Sequence, residues 1–214
     1  MTEKAEIKKA LAAIIRLAGN EKWVVGGSAG LLLRGLSLPA KPRDLDLYCD
    51  EEDSQELHER LRPFAVDEAA YSETAIYRST LSHYELEGVR VELVSGFRVS
   101  AFQCSYWTEV RQVLIPNGFP VMVEEGLPAA VVVPLAHELW FNALRGRPDR
   151  VRMITEAYAA NPTRHQGALA AIEDRNTFSP LAIGEVHGWL GQSEAGEEQW
   201  MLKSSSGPAA SPFV

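Results

Sequence analysis

Asp44 and Asp46 stand two residues apart in the segment Arg43-Asp44-Leu45-Asp46-Leu47-Tyr48-Cys49. Polar and apolar residues alternate there with the period of a half-buried strand, which sends both carboxylates to one face and Leu45, Leu47 and Cys49 to the other. At the rise of a strand the two carboxylates lie about 7 Å apart and repel unless a cation sits between them. Hard oxygen donors of this kind suit Mg²⁺, which keeps several waters and takes one or two carboxylates together with substrate phosphates. Arg43, next to the pair, is placed to meet a phosphate or simply to neutralise Asp44.

Just upstream, the apolar run Trp23 to Val25 meets Gly26-Gly27-Ser28 and then Ala29 to Leu36, a strand turning sharply into a helix. Two glycines allow a tight turn and a close approach of backbone to ligand. Ser28 is a suitable N-cap, and the first amides of the helix, with its dipole behind them, offer a seat for phosphate. Residues 23–50 thus hold the densest set of chemistry-capable groups in the chain.

Other elements must hold that stretch in place. Ile7, Leu11, Ile14, Ile15 and Ala18 have the spacing of an amphipathic helix over Glu3 to Leu17. After the Asp-x-Asp strand, Asp50 to Asp53 can cap a helix running to about Leu61, with Leu57 and Leu61 inward and Pro63 ending it. Tyr71 to Arg78, Ser82 to Glu87, Val89 to Val94, Glu109 to Ile115 and Val121 to Glu124 are rich in strand formers and separated by turn residues, which predicts a mixed sheet with hairpin links. From Pro134 the period lengthens, predicting helices over Leu135 to Leu144, Val151 to Ala160, Gln166 to Asp174 and Pro180 to Leu190. The final SSSGPAASPFV reads as a disordered or late-ordered tail. The expected layout is an α/β portion over residues 1–130, a helical carboxy-terminal portion over 131–200 and a tail over 201–214. A cleft between the first two is the usual place for a ligand.

Composition narrows the partners. With 214 residues and 46% hydrophobic content the chain can bury a core. A net charge of −8, from 21 basic and 29 acidic residues, argues against broad nucleic-acid binding, which depends on phosphate neutralisation. Arg145, Arg147, Arg150 and Arg152 offer a local basic patch, read as a solvated helix surface ahead of a binding site. Cys49 and Cys104 make no disulfide framework and read as free thiols in a reducing cytoplasm. The amino terminus lacks the continuous apolar core of a signal peptide, and no run reaches the roughly 18 apolar residues of a membrane span. The five histidines fall at no zinc-ligand spacing. Trp107 and Trp140 read as core or cleft wall.

Gly-Gly-Ser, a helix, Asp-x-Asp on the next strand and a later acid on an apolar strand together resemble the nucleotidyltransferase superfamily. The nearer likeness is to its small bacterial members, the toxin-like enzymes of abortive-infection systems and the aminoglycoside and lincosamide transferases. It spans residues 20 to 155 and implies an α/β (α+β) fold, a mixed sheet with flanking helices followed by a helical portion. The activity implied is Mg²⁺-dependent transfer of a nucleoside monophosphate from an NTP such as ATP to a hydroxyl, on a small molecule first, or on tRNA or a protein in the toxin-like variant. A module of the same fold that binds without turnover is the competing expectation.

Carried over by position, Gly26, Gly27 and Ser28 would cradle the triphosphate with Arg43 beside them, and Asp44 and Asp46 would bind the metal. For the third carboxylate the choice is Glu92, since Val89, Val91 and Leu93 define a buried face opposite it; Glu85 on the preceding segment is the rival. Glu92 or Asp46 would then deprotonate the acceptor hydroxyl. A second likeness lies in residues 134–149, where Asn142 occupies a place at which related small transferases often carry lysine and Asp149 follows a proline directly.

Overall fold

A computed structural model describes residues 3–191; the expected tail at 201–214 lies outside the described residues. In chain order the elements are α1 (Glu3–Ala18), β1 (Trp23–Val25), α2 (Gly27–Leu33), β2 (Leu45–Cys49), α3 (Ser54–Leu61), β3 (Ala70–Glu73), β4 (Tyr77–Leu86), β5 (Val89–Ala101), β6 (Cys104–Trp107), β7 (Phe119–Val121), β8 (Ala130–Val132), α4 (Leu135–Leu144), α5 (Pro148–Ala159), α6 (Pro162–Arg175) and α7 (Pro180–Gly191). They pack as two units, one of residues 3–98 with 107–134, the other of 99–106 with 135–191. The fold class is the mixed α/β arrangement expected, with helices in the carboxy-terminal part.

The sheet runs β3-β4-β5-β2-β1-β8-β7, and β6 pairs with β5. β1 is antiparallel to β2 and parallel to β8, while β2 is parallel to β5. The register of that last pair sets Leu45 beside Val91, Asp46 beside Glu92 and Leu47 beside Leu93. Since neighbouring residues in register share a face, one side of the β2–β5 pair is apolar and the other acidic. β4 and β5 are joined by Glu87-Gly88, both at positive φ (54° and 73°), the geometry of a two-residue type I′ hairpin turn.

On the apolar side Leu45, Leu47, Cys49, Val91 and Leu93 meet Ile7, Leu11, Ile14 and Ile15 of α1 and Leu57 and Leu61 of α3 in one core cluster. The periodicity of α1 and α3 therefore serves to cover this face. Cys49 and Cys104 are free and buried, and burial first, with Asp53 and Asp50 next, pushes the Cys49 thiol well up.

Four local expectations are corrected. Residues Val110–Leu114 form a π-helical turn and not a strand, because Val110, Val113 and Leu114 are buried at i, i+3 and i+4, a helical spacing hidden by β-branched composition. Its first amides, Val110 and Arg111, donate to the Asp50 carboxylate at 2.7 and 2.9 Å, so Asp50 caps this turn and not α3. α3 instead follows a 3-10 turn, Glu51–Asp53, and the N-cap residue Asp53 makes no capping bond, pairing with Arg111. Trp107 is exposed, with the Arg98 guanidinium over its ring, whereas Trp140 is fully buried.

In the second unit Trp140 stacks on Phe178 at 3.8 Å between centroids, and His137 lies between Tyr106 and Phe141. The Tyr106 hydroxyl is 2.5 Å from His137 Nδ1, and complete burial pushes the imidazole down to about 3, so it stays neutral.

Candidate functional site

β1 leads straight into Gly26, whose amide donates to the Asp46 carbonyl at 3.0 Å, so the turn is pinned to β2. Gly27 opens α2 at φ +60°, a conformation L side chains rarely adopt. A Cβ on Gly27 would lie 2.0 Å from Asp46 Oδ2, and one on Gly26 would lie 2.1 Å from the Tyr48 ring. Both glycines are therefore required by contact: the backbone of the turn rests on the Asp46 carboxylate and on the aromatic residue beyond it. Gly26, not Ser28, occupies the N-cap position, and Ser28 is the second residue of the helix. The helix closes at Leu33, three residues before the expected end.

Asp46 projects from the middle of β2 and Asp44 immediately precedes that strand, both partly exposed. Glu92 stands in register with Asp46 on β5. Burial first, and then the Asp44 carboxylate, raise Glu92 above the ordinary carboxyl range, against the lowering influence of His83 and Arg90. Thus Asp44, Asp46 and Glu92 are brought to one face. Arg43 is exposed and makes no ion pair among the described residues. Glu85, the rival third acid, is exposed on β4, and it lines a pocket of ≈ 350 Å³ with Val66, Asp67, His83, Tyr84 and Arg90.

Alternation over His83, Glu85 and Glu87 is legible in the sequence, but two sets of contacts on this face are not. The first is that of His83 on β4, whose Nε2 lies 3.5 Å from Glu92 Oε1 while its Nδ1 is 2.5 Å from Asp67 Oδ2. The alternation on β4 singles out His83 as a residue of this face, but Asp67 is sixteen positions away and only the fold joins them. The second is an aromatic row: Phe97 stacks on Tyr48 at 6.2 Å and on Tyr77 at 5.9 Å. Phe97 reaches that row because Gly96, at φ +57°, interrupts the alternation of β5.

Mg²⁺ was the cofactor expected of these residues. Among the described residues no three His, Cys, Asp or Glu side chains form a ready-made metal cage. Asp44, Asp46 and Glu92 are nonetheless hard oxygen donors, the type that suits a hard cation drawing the rest of its shell from phosphate oxygens and water.

In the second unit, Asn142 is buried on α4 and its amide nitrogen donates to the Glu138 carbonyl at 2.8 Å and carboxylate at 3.1 Å. Asp149 pairs with Arg147 at 3.0 Å, which lowers the carboxyl and raises the guanidinium. Arg152 approaches Glu156 at 4.0 Å and Arg145 lies over Phe141, so much of the basic cluster is engaged on its own helices.

No protein-family model matches the sequence, and no curated protein matches it. Solved structures do. A protein of Thermotoga maritima assigned as a nucleotidyltransferase superposes with a TM-score of 0.52 at 22% identity, over 73% of this chain and 94% of that one. ANT(2″)-Ia in complex with adenylyl-2″-tobramycin aligns over 81% of this chain and 99% of its own, at 14% identity and a TM-score of 0.46. JHP933 of Helicobacter pylori aligns over 96% and 97%, at 11% identity and 0.36. No helix among the described residues is long and apolar enough to cross a membrane. The Gly-Gly turn seated on Asp46, the acid in register on β5 and the superposition on the Thermotoga protein lead to one statement: this chain has the nucleotidyltransferase fold.

Proposed function

We propose that the protein transfers a nucleoside monophosphate from an NTP, ATP being the first to try, to a hydroxyl group on a small molecule. The observation that carries this reading is the contact of the Gly27 backbone with the Asp46 carboxylate, with Glu92 in register beside it. A turn built to lie against an acid sets glycine backbone next to concentrated negative charge, an arrangement with a use when metal and triphosphate bind together.

Asp44 and Asp46, with Glu92, would hold Mg²⁺, which would supply charge neutralisation at the α-phosphate and the leaving pyrophosphate. The Gly26-Gly27-Ser28 turn and Arg43 would hold the β and γ phosphates. Glu92, raised above the usual carboxyl range, would accept the proton of the acceptor hydroxyl as its oxygen attacks the α-phosphorus and the bond to pyrophosphate breaks. The side chains do no covalent work in this scheme; they position groups and balance charge. The acidic net charge favours a small acceptor over a nucleic acid.

Incubation with α-labelled NTPs and a panel of aminoglycoside, lincosamide, tRNA and protein acceptors tests the reading, with Asp46→Asn as control. Label transfer lost in the variant is expected. No transfer and no consumption of NTP by the wild-type chain would overturn it.

A module that binds nucleotide without turnover is the second reading, favoured by one observation: the Asn142 amide is committed to Glu138 and offers no cation for a phosphate. Calorimetric titration with ATP separates the two, since metal-dependent binding without consumption selects the module.

A further inference from the structure

We propose that Asp67 and His83 form a brace that positions the Glu92 carboxylate, making His83 a positioning residue of the transfer site. The proposal rests on the transferase reading and adds to it two residues outside the motifs.

The brace is built from the backbone outward. Ala65 bridges to Tyr84, and the Val66 amide donates to the His83 carbonyl at 2.9 Å, so the segment ahead of Asp67 is tied to β4. Asp67 then receives two bonds from one residue: the His83 amide on Oδ1 at 2.7 Å and the His83 ring Nδ1 on Oδ2 at 2.5 Å. Those bonds outweigh the upward push of burial on Asp67 and leave its carboxyl below the usual range. A ring held at Nδ1 cannot swing about its own axis, so its Nε2 direction is set. That direction leads to Glu92 Oε1 at 3.5 Å, and Arg90 reaches the same oxygen at 3.5 Å.

The need for a brace follows from chemistry. A glutamate carboxylate sits at the end of three rotatable bonds and sweeps a wide volume unless something holds it. Here the His83 ring from β4, cationic when protonated, and the Arg90 guanidinium from β5 each lie 3.5 Å from Glu92 Oε1, and the Asp44 carboxylate repels the group. Held from one side and pushed from the other, Glu92 keeps one orientation beside Asp46. Reacting groups must be placed to within a fraction of an ångström, and a shift of about 1 Å can cost on the order of a hundredfold in rate.

Two substitutions separate bracing from simple stabilisation. His83→Gln keeps an amide where Nε2 approached Glu92 and loses the ring bond to Asp67; His83→Asn keeps an amide where Nδ1 met Asp67 and loses the approach to Glu92. Three readouts apply to the full chain: kcat and KM for ATP, calorimetric binding of Mg²⁺ with the non-hydrolysable analogue α,β-methylene-ATP, and a crystal structure of each variant. The expected result is that His83→Asn loses about ten- to a hundredfold in kcat, with KM changed far less and Glu92 displaced. His83→Gln should recover most of that loss, and Asp67→Asn should fall between. A purely structural role would lower the melting temperature of the variants alike and leave kcat per folded molecule unchanged. Wild-type activity together with a fully active His83→Asn, or an unmoved Glu92, overturns the brace and leaves the transferase reading standing. A wild-type chain that neither transfers nor binds the metal–nucleotide analogue overturns the transferase reading, and the brace with it.

Discussion

On one face of the β2–β5 pair Leu45, Leu47, Val91 and Leu93 are each no more than 2% exposed, packed under α1 and α3; on the other, in the same register, Asp46 and Glu92 stand side by side with Asp44 close by. Identical backbone pairing supports both faces. The apolar face is complete within the chain, since each side chain meets others of its kind. The acidic face concentrates like charge, and among the described residues His83 and Arg90 are what offset it at Glu92. Such a region costs stability unless a ligand completes it, the pattern expected where a fold departs from its own local rules for the sake of a site.

The largest expected effect breaks the acidic face. Asp46→Asn should lower the transfer rate by about a thousandfold or more, the scale of losing a charged group aimed at a transition state, with melting temperature unchanged or raised. A rate within tenfold of wild type would remove Asp46 from the chemistry.

The next breaks the apolar face. Leu47→Ala should cost about 3 kcal/mol in denaturant unfolding, within the range for buried leucines, while kcat per folded molecule stays within a few-fold. A large fall in kcat at constant folded fraction would show that the two faces are coupled.

Between them lies the turn that touches Asp46. Gly27→Ala meets both the positive φ and the Asp46 oxygen, so a loss of about 1–3 kcal/mol is expected from strain, together with weaker nucleotide binding by calorimetry. Unchanged stability would mean that the turn can relax away from Asp46.

The smallest effect sharpens the charge argument. Glu92 titrates above the ordinary carboxyl range in the fold, first through burial and then through Asp44. An acid raised on folding destabilises the fold where it is ionised. That cost is full above the folded value and vanishes as the pH falls below the unfolded one. Glu92→Gln should therefore raise the metal-free melting temperature by a degree or two at pH 8, with the gain gone by about pH 4, where ordinary carboxyls protonate. A fall at pH 8 would show that His83 and Arg90 outweigh the repulsion.

The two faces were also unequally legible in the sequence. Alternation over Leu45–Cys49 and Val91–Leu93 announces strands and names the inward residues, because period two is a local property. The Gly-Gly turn and the acids could be found for the same reason. Local signals failed where a segment's environment decides its structure. Val110–Leu114 is rich in strand formers, yet Asp50 holds its amides as a helical turn. β6 and β8, of four and three residues, are too short for a period to show. Asp67 gives no signal at all, since its importance comes from a contact with His83 made by folding.

Gly96 carries a consequence for how this surface can diverge. Because it breaks the alternation of β5, it decides which of the following residues face the acids and which face away: Phe97 joins Tyr48 and Tyr77, and Arg98 goes to Trp107. Were that interruption closed, so that β5 alternated without a break, Phe97 would turn away and Arg98 would come to the face of Tyr48, with Asp46 and Glu92 still in register. What stands beside the acids is thus set by one backbone position, with every acidic residue untouched.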